Sequence, residues 1–144
     1  MKQLILVLTF FVFADVMAQK PAIFATRDGA IRGFDPVAYF TEGKAVTGTN
    51  EFTLVWNDQT WHFATAQNLA LFKADPEKYA PQYGGYCAFG MSRGYKAETQ
   101  PDAWTIVDGK LYLNYNTRVR EEWKKNQAER ITKADANWPS VKKQ

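Results

Sequence analysis

The chain has one cysteine and one histidine among its 144 residues. A lone thiol forms no internal disulfide, so no disulfide framework holds this fold together. Cys87 is therefore buried and inert, paired with another molecule, or kept for chemistry such as metal binding. With one imidazole, His62 is the sole histidine for any ligand set or any catalytic base. Charge of one sign is in short supply too. The formal net charge is +3, and the only basic doublets of note are Lys124-Lys125 and Lys142-Lys143. That mild excess gives no case for nucleic-acid binding. Repeats, low-complexity tracts and internal linkers are missing, as is any apolar run long enough to span a membrane.

The longest apolar run, Leu4 to Phe13, follows Lys2 and precedes Val16 and Ala18. A charged start, a short apolar centre and small residues near position 18 together read as a secretory signal over residues 1–18. The mature chain is then expected to start near Gln19, to have no membrane span, and to be periplasmic or secreted. From there on it is the size of one ordinary domain. Aromatic residues make up 15% of the sequence, enough to build a core and pockets from Trp, Tyr and Phe.

Residues 19–32 carry Pro21 and Gly29 and read as an extended N-terminal arm. Asp35-Pro36 reads as a helix start, with Asp35 as cap and Gly43 as stop. Phe52–Trp56 and Thr60–Ala64, joined through Asn57-Asp58-Gln59, read as a hairpin with Trp61 and Phe63 on one face and His62 on the other. Thr65 caps a helix running to Asp75-Pro76, and Pro76–Tyr79 form a further short turn. Gly84, Gly85, Gly90 and Gly94 argue against a long helix around Cys87. Trp104–Val107, Asp108-Gly109 and Lys110–Leu113 form the clearest hairpin, since Asp-Gly suits a type I′ turn. Asn114 or Asn116 caps one final helix with Val119, Trp123 and Ile131 on its apolar stripe. The expected fold is α+β, a small antiparallel sheet made of hairpins with short helices packed around it.

Gly33-Phe34-Asp35-Pro36-Val37-Ala38-Tyr39-Phe40, Thr60-Trp61-His62-Phe63-Ala64-Thr65, Asp75-Pro76-Glu77-Lys78-Tyr79 and Tyr83-Gly84-Gly85-Tyr86-Cys87-Ala88 occur in this order. Together they resemble the YHS-domain family, and within it the exported single-domain proteins of bacteria. The resemblance spans 33–139 and leaves 140–144 as a C-terminal tail. It implies a treble-clef-related fold and association with a transition metal, with a metal transporter or oxidase as partner. It implies no defined reaction. Cysteine-rich members carry thiols where this chain has Ala38 and Ala64, so the usual thiolate cluster is absent.

A metal site would then gather around Cys87. Met91 lies one helical turn further on, and thiolate and thioether sulfur favour Cu(I), with His62 free to add an imidazole. The expected function is copper binding or carriage through Cys87, Met91 and His62, beside a pocket lined by Tyr39, Tyr83, Tyr86 and Phe89. The same residues also admit a plainer reading. Cys87 is then a small buried hydrophobe, Met91 a core filler, His62 a strand residue, and the protein a small-ligand or protein-interaction module. Ser92 and Arg93 suit an anion, although nothing pairs them with a base. A Cys-His-Asp hydrolase would need His62 beside Cys87 and Asp35 or Asp58 behind it, and the resemblance lends that arrangement no support.

Overall fold

The structure is a computed structural model and describes residues 18–144. The secretory signal read over 1–18 thus lies outside the described residues except for Ala18. Among the described residues no helix is long and apolar enough to cross a membrane.

Three hairpins form the β part. β1 (Ala25–Thr26) pairs with β2 (Gly29–Ala30), β3 (Thr49–Trp56) with β4 (Gln59–Phe63), and β5 (Trp104–Val107) with β6 (Lys110–Leu113), all antiparallel. The turns of the two longer hairpins follow from their residues. Asn57 and Asp58 have φ of 49° and 63°, and Asp108 and Gly109 have 50° and 74°, the left-handed pairs that a type I′ turn requires. The expected single sheet is three separate two-stranded sheets. The hairpins meet through bulky side chains rather than through their edges: Trp61 and Phe63 of β4 and Leu111 and Leu113 of β6 share one apolar cluster.

The helices begin where short polar side chains cap them. Asp35 Oδ1 accepts from the N–H groups of Val37 and Ala38 ahead of α1 (Ala38–Thr41). Thr65 accepts from Asn68 N–H at the start of α2 (Ala66–Ala74), and Asp75 from Lys78 N–H at α3 (Pro76–Tyr79). After a kinked 3₁₀ segment, Gln82–Gly85, comes α4 (Ala88–Ser92), whose N-cap is Cys87. Asn116 caps α5 (Thr117–Lys125). The expected final helix is in fact two, because Asn126 leaves helical geometry (φ −133°, ψ 45°) and α6 (Gln127–Val141) starts anew. α6 continues through Val141, which is buried, so residues 140 and 141 belong to the helix and not to a tail.

Two apolar clusters share the interior, and β6 stands between them. Leu111 and Leu113 enter the first cluster with Trp61, Phe63 and Phe72, while Tyr112 enters the second with Met91, Trp123 and Ala134. The two-residue period of a strand sends alternate side chains to opposite faces, which here are both covered. Residues 19–32, read as an arm, serve both clusters: Ile23, Ala30 and Ile31 pack into the first and Phe24 into the second.

Candidate functional site

Cys87 lies at the start of α4 and is 2% exposed. Its backbone N–H donates to Ala97 O at 3.0 Å, and its carbonyl accepts from Met91 N–H at 2.8 Å. The sulfur is enclosed by polar partners. The thiol donates to Asn114 Oδ1 at 3.5 Å, and Gly90 N–H donates to Sγ at 3.5 Å. Burial pushes the thiol pKa up, and the N–H groups of Gly90, Tyr115 and Phe89 offset part of that rise. The resting form is the neutral thiol, a poor nucleophile.

Met91 sits on the same helical turn and is fully buried in the second apolar cluster. His62 stands in a different cleft, with Arg27, Asp28, Arg32 and Thr47. Its Nδ1 is 3.2 Å from Thr49 O, and its ring edge lies so close to Gly29 that a Cβ there would stand 2.7 Å from Cδ2. The structure thus keeps Cys87 and Met91 on one helical turn and leaves His62 against β2. Alternation along β4 accounts for this, since it buries Trp61 and Phe63 and turns His62 towards the first hairpin. Among the described residues no group of three or more His, Cys, Asp or Glu could hold a metal ion.

Of the four aromatic residues expected around one pocket, Tyr83 and Tyr86 lie in the second cluster with Phe89 packed against it, and Tyr39 lies in the first. Tyr39 is buried in the first cluster and donates its hydroxyl to Pro101 O at 2.9 Å. Tyr86 packs on Phe24 and donates to Pro21 O at 2.8 Å. Phe89 faces Arg93 and Arg130. Only Tyr83 reaches the aromatic cleft of the molecule, a space of about 330 Å³ between the β3–β4 turn, α3 and α6.

Trp56, Tyr83 and Trp138 give that cleft its aromatic walls, and Glu77, Gln82 and Lys142 place polar groups around them. The backbone at Tyr83 is strained, with φ of 58° in a residue that is not glycine. Gly84 follows at φ 63° and packs on the chain at Ala22, where a Cβ would fall 1.8 Å from the carbonyl oxygen. Phe24 N–H donates to Gly84 O at 2.8 Å and ties the two segments together. The Tyr83 hydroxyl donates to Asp135 Oδ1 at 2.8 Å, anchoring the ring to α6; burial, and then Asp135, raise the phenol pKa. An aromatic cleft with a few fixed polar groups suits a small organic ligand. The paired glycines after Tyr83 are its one sequence signal, because Trp56 and Trp138 stand 82 positions apart in the chain.

The family model described as the YHS domain matches residues 37–83. The matched stretch runs from the start of α1 to Tyr83; it contains His62 and stops short of Cys87 and Met91. No curated protein matches the chain, and no solved structure matches it.

Proposed function

We propose that the chain, whose residues 37–83 match the YHS-domain family model, is a binding protein that takes a small organic ligand between Trp56, Tyr83 and Trp138. The observation that carries this reading is the cleft itself, where a strained, hydrogen-bonded Tyr83 packs on Trp138, with Trp56 on the same cleft wall and Glu77 and Lys142 at hand. A ligand with a flat or aliphatic body and a polar end fits such walls. Cys87 then serves as a helix cap. A screen of soluble aromatic fragments, followed through the indole N–H resonances of Trp56 and Trp138, tests this. Binders should shift those two resonances and lose affinity in Trp138→Ala; a set of binders that leaves both unmoved would overturn the reading.

Copper carriage is the second reading, favoured by the two sulfurs on one turn of α4 in a family associated with transition metals. The donor set fits poorly, because the expected third ligand, His62, stands apart and Asn114 already occupies the thiol. Titration with Cu(I) under reducing conditions decides it: equal uptake by wild type, Cys87→Ser and Met91→Leu removes the thiol from any copper role. Export through residues 1–18 belongs to both readings, and N-terminal sequencing of the protein recovered from its native compartment checks it.

A further inference from the structure

A second cleft, of about 260 Å³, lies between α4 and α6 and is lined by Ser92, Arg93, Asn126, Glu129, Arg130 and Lys133. The packing of the two helices brings its cations together. Asn137 Nδ2 donates from α6 to Met91 O at 2.9 Å and Ser92 O at 3.3 Å, closing the end of α4 against α6. Arg93 and Arg130 then rest on the same ring: their guanidinium carbons are 4.7 Å and 4.2 Å from the centroid of Phe89. Stacking of this kind holds a guanidinium plane in place while leaving its N–H edge free to donate.

The charges around this ring do not cancel. Glu129, the carboxylate of the cleft, is engaged by Lys133 at 2.7 Å, and nearby Glu122 by Lys125 at 2.6 Å. Among the described residues neither Arg93 nor Arg130 takes part in an ion pair. Arg130 Nε is moreover buried with no hydrogen-bond partner. A buried donor on a charged group without an acceptor is costly, and nothing among the described residues neutralises this guanidinium. Ser92 adds little, since its hydroxyl is spent on Phe89 O at 2.6 Å.

We propose that the Arg93–Phe89–Arg130 cleft binds the phosphate group of a small phosphate-bearing molecule. Two guanidinium forks offer paired N–H donors to an anion with several acceptor oxygens, a better match for a phosphate dianion than for a single carboxylate. The site is separate from the aromatic cleft, so it stands or falls independently of the ligand placed there.

Calorimetric titration with inorganic phosphate at low salt tests the site on wild type, Arg93→Gln, Arg130→Gln and the double variant. Arg93 is exposed, so Arg93→Gln keeps the fold, and thermal melting identifies any variant that does not. The expected result is binding by wild type, weakened by about tenfold or more in each single variant, which corresponds to about 1.4 kcal/mol. Wild type that binds no phosphate, or an Arg93→Gln protein that binds it equally well, overturns the proposal. Sedimentation with phosphatidate vesicles forms the second arm. Vesicle binding without binding of free phosphate would place the anion on a lipid headgroup and also overturn the small-ligand assignment.

Discussion

Asn114 Oδ1 accepts two hydrogen bonds at once, from the Cys87 thiol at 3.5 Å and from Phe89 N–H at 3.0 Å. Asn114 is fully buried just beyond β6, so this one amide joins the end of the last hairpin to the first turn of α4. The contact gives the lone buried thiol a hydrogen-bonded place in the interior. Sulfur caps the helix by accepting from Gly90 N–H, and the amide oxygen satisfies the donors around it.

The first prediction concerns this pair. Asn114→Ala leaves the thiol and Phe89 N–H without an acceptor and should cost about 1–3 kcal/mol in urea unfolding. In the native protein a maleimide should label Cys87 slowly, and Asn114→Ala should label faster. Rapid labelling of the wild type would contradict the buried, hydrogen-bonded thiol.

Alkaline pH should weaken the fold in two steps. The folded protein holds the Cys87 thiol and the phenols of Tyr39, Tyr83, Tyr86 and Tyr112 above their ordinary pKa values, with burial the largest cause for each. A group raised in the folded state stabilises below its unfolded pKa, and that stability drains away as pH climbs towards the folded value. Unfolded thiols titrate at about 8.5 and phenols at about 10, so the urea midpoint should hold to about pH 8, fall gently, then fall steeply above about pH 10. Cys87→Ser should lack the first step and keep the second.

Asp35 should be the most sensitive polar position. Its carboxylate is fully buried and accepts from Val37 N–H, Ala38 N–H, Ala64 N–H and Asn68 Nδ2, which join α1, the end of β4 and α2. Asp35→Ala strands all of these donors and should cost about 3–5 kcal/mol, a loss read from the thermal midpoint. Asp35→Asn should recover little of it, because one of its two terminal groups is itself a donor. A nearly wild-type midpoint for either variant would rule out this junction as a mainstay of the fold.

Two glycines with similar backbone angles should behave differently. Gly84 and Gly109 have φ of 63° and 74°, but a Cβ on Gly84 would meet Ala22 O, whereas nothing lies within 4 Å of one on Gly109. Gly109→Ala should cost only the strain of a left-handed residue, about 1–2 kcal/mol. Gly84→Ala should cost clearly more and loosen the aromatic cleft, since the chain at Ala22 and the Phe24 hydrogen bond must shift. Comparable denaturation midpoints for the two variants would mean that the approach of Gly84 to Ala22 is unimportant.

How far the sequence could be read depended on the range of the interactions. Thr65 with Asn68 and Asn116 with Val119 are contacts over three residues, and the turns at Asn57-Asp58 and Asp108-Gly109 are set by adjacent residues. Such features appear in a short window of sequence. The break at Asn126 is not legible in the sequence because helical spacing of apolar residues on either side masks a break of one residue. The separate sheets are not legible because strand patterns predict hairpins but not which hairpin edges will pair.

By itself the sequence determined the α+β class, the two longer hairpins, the capped helices, and the absence of any internal disulfide, since all of these follow from local chemistry or from counting. Only the tertiary structure decided which side chains meet. It set Cys87 against Asn114 and His62 against Gly29, placed Trp56 across from Trp138, and stacked Arg93 and Arg130 on one ring. Those pairings arise from the packing of two apolar clusters around β6, in which distant segments are placed by shape and burial and not by their spacing along the chain.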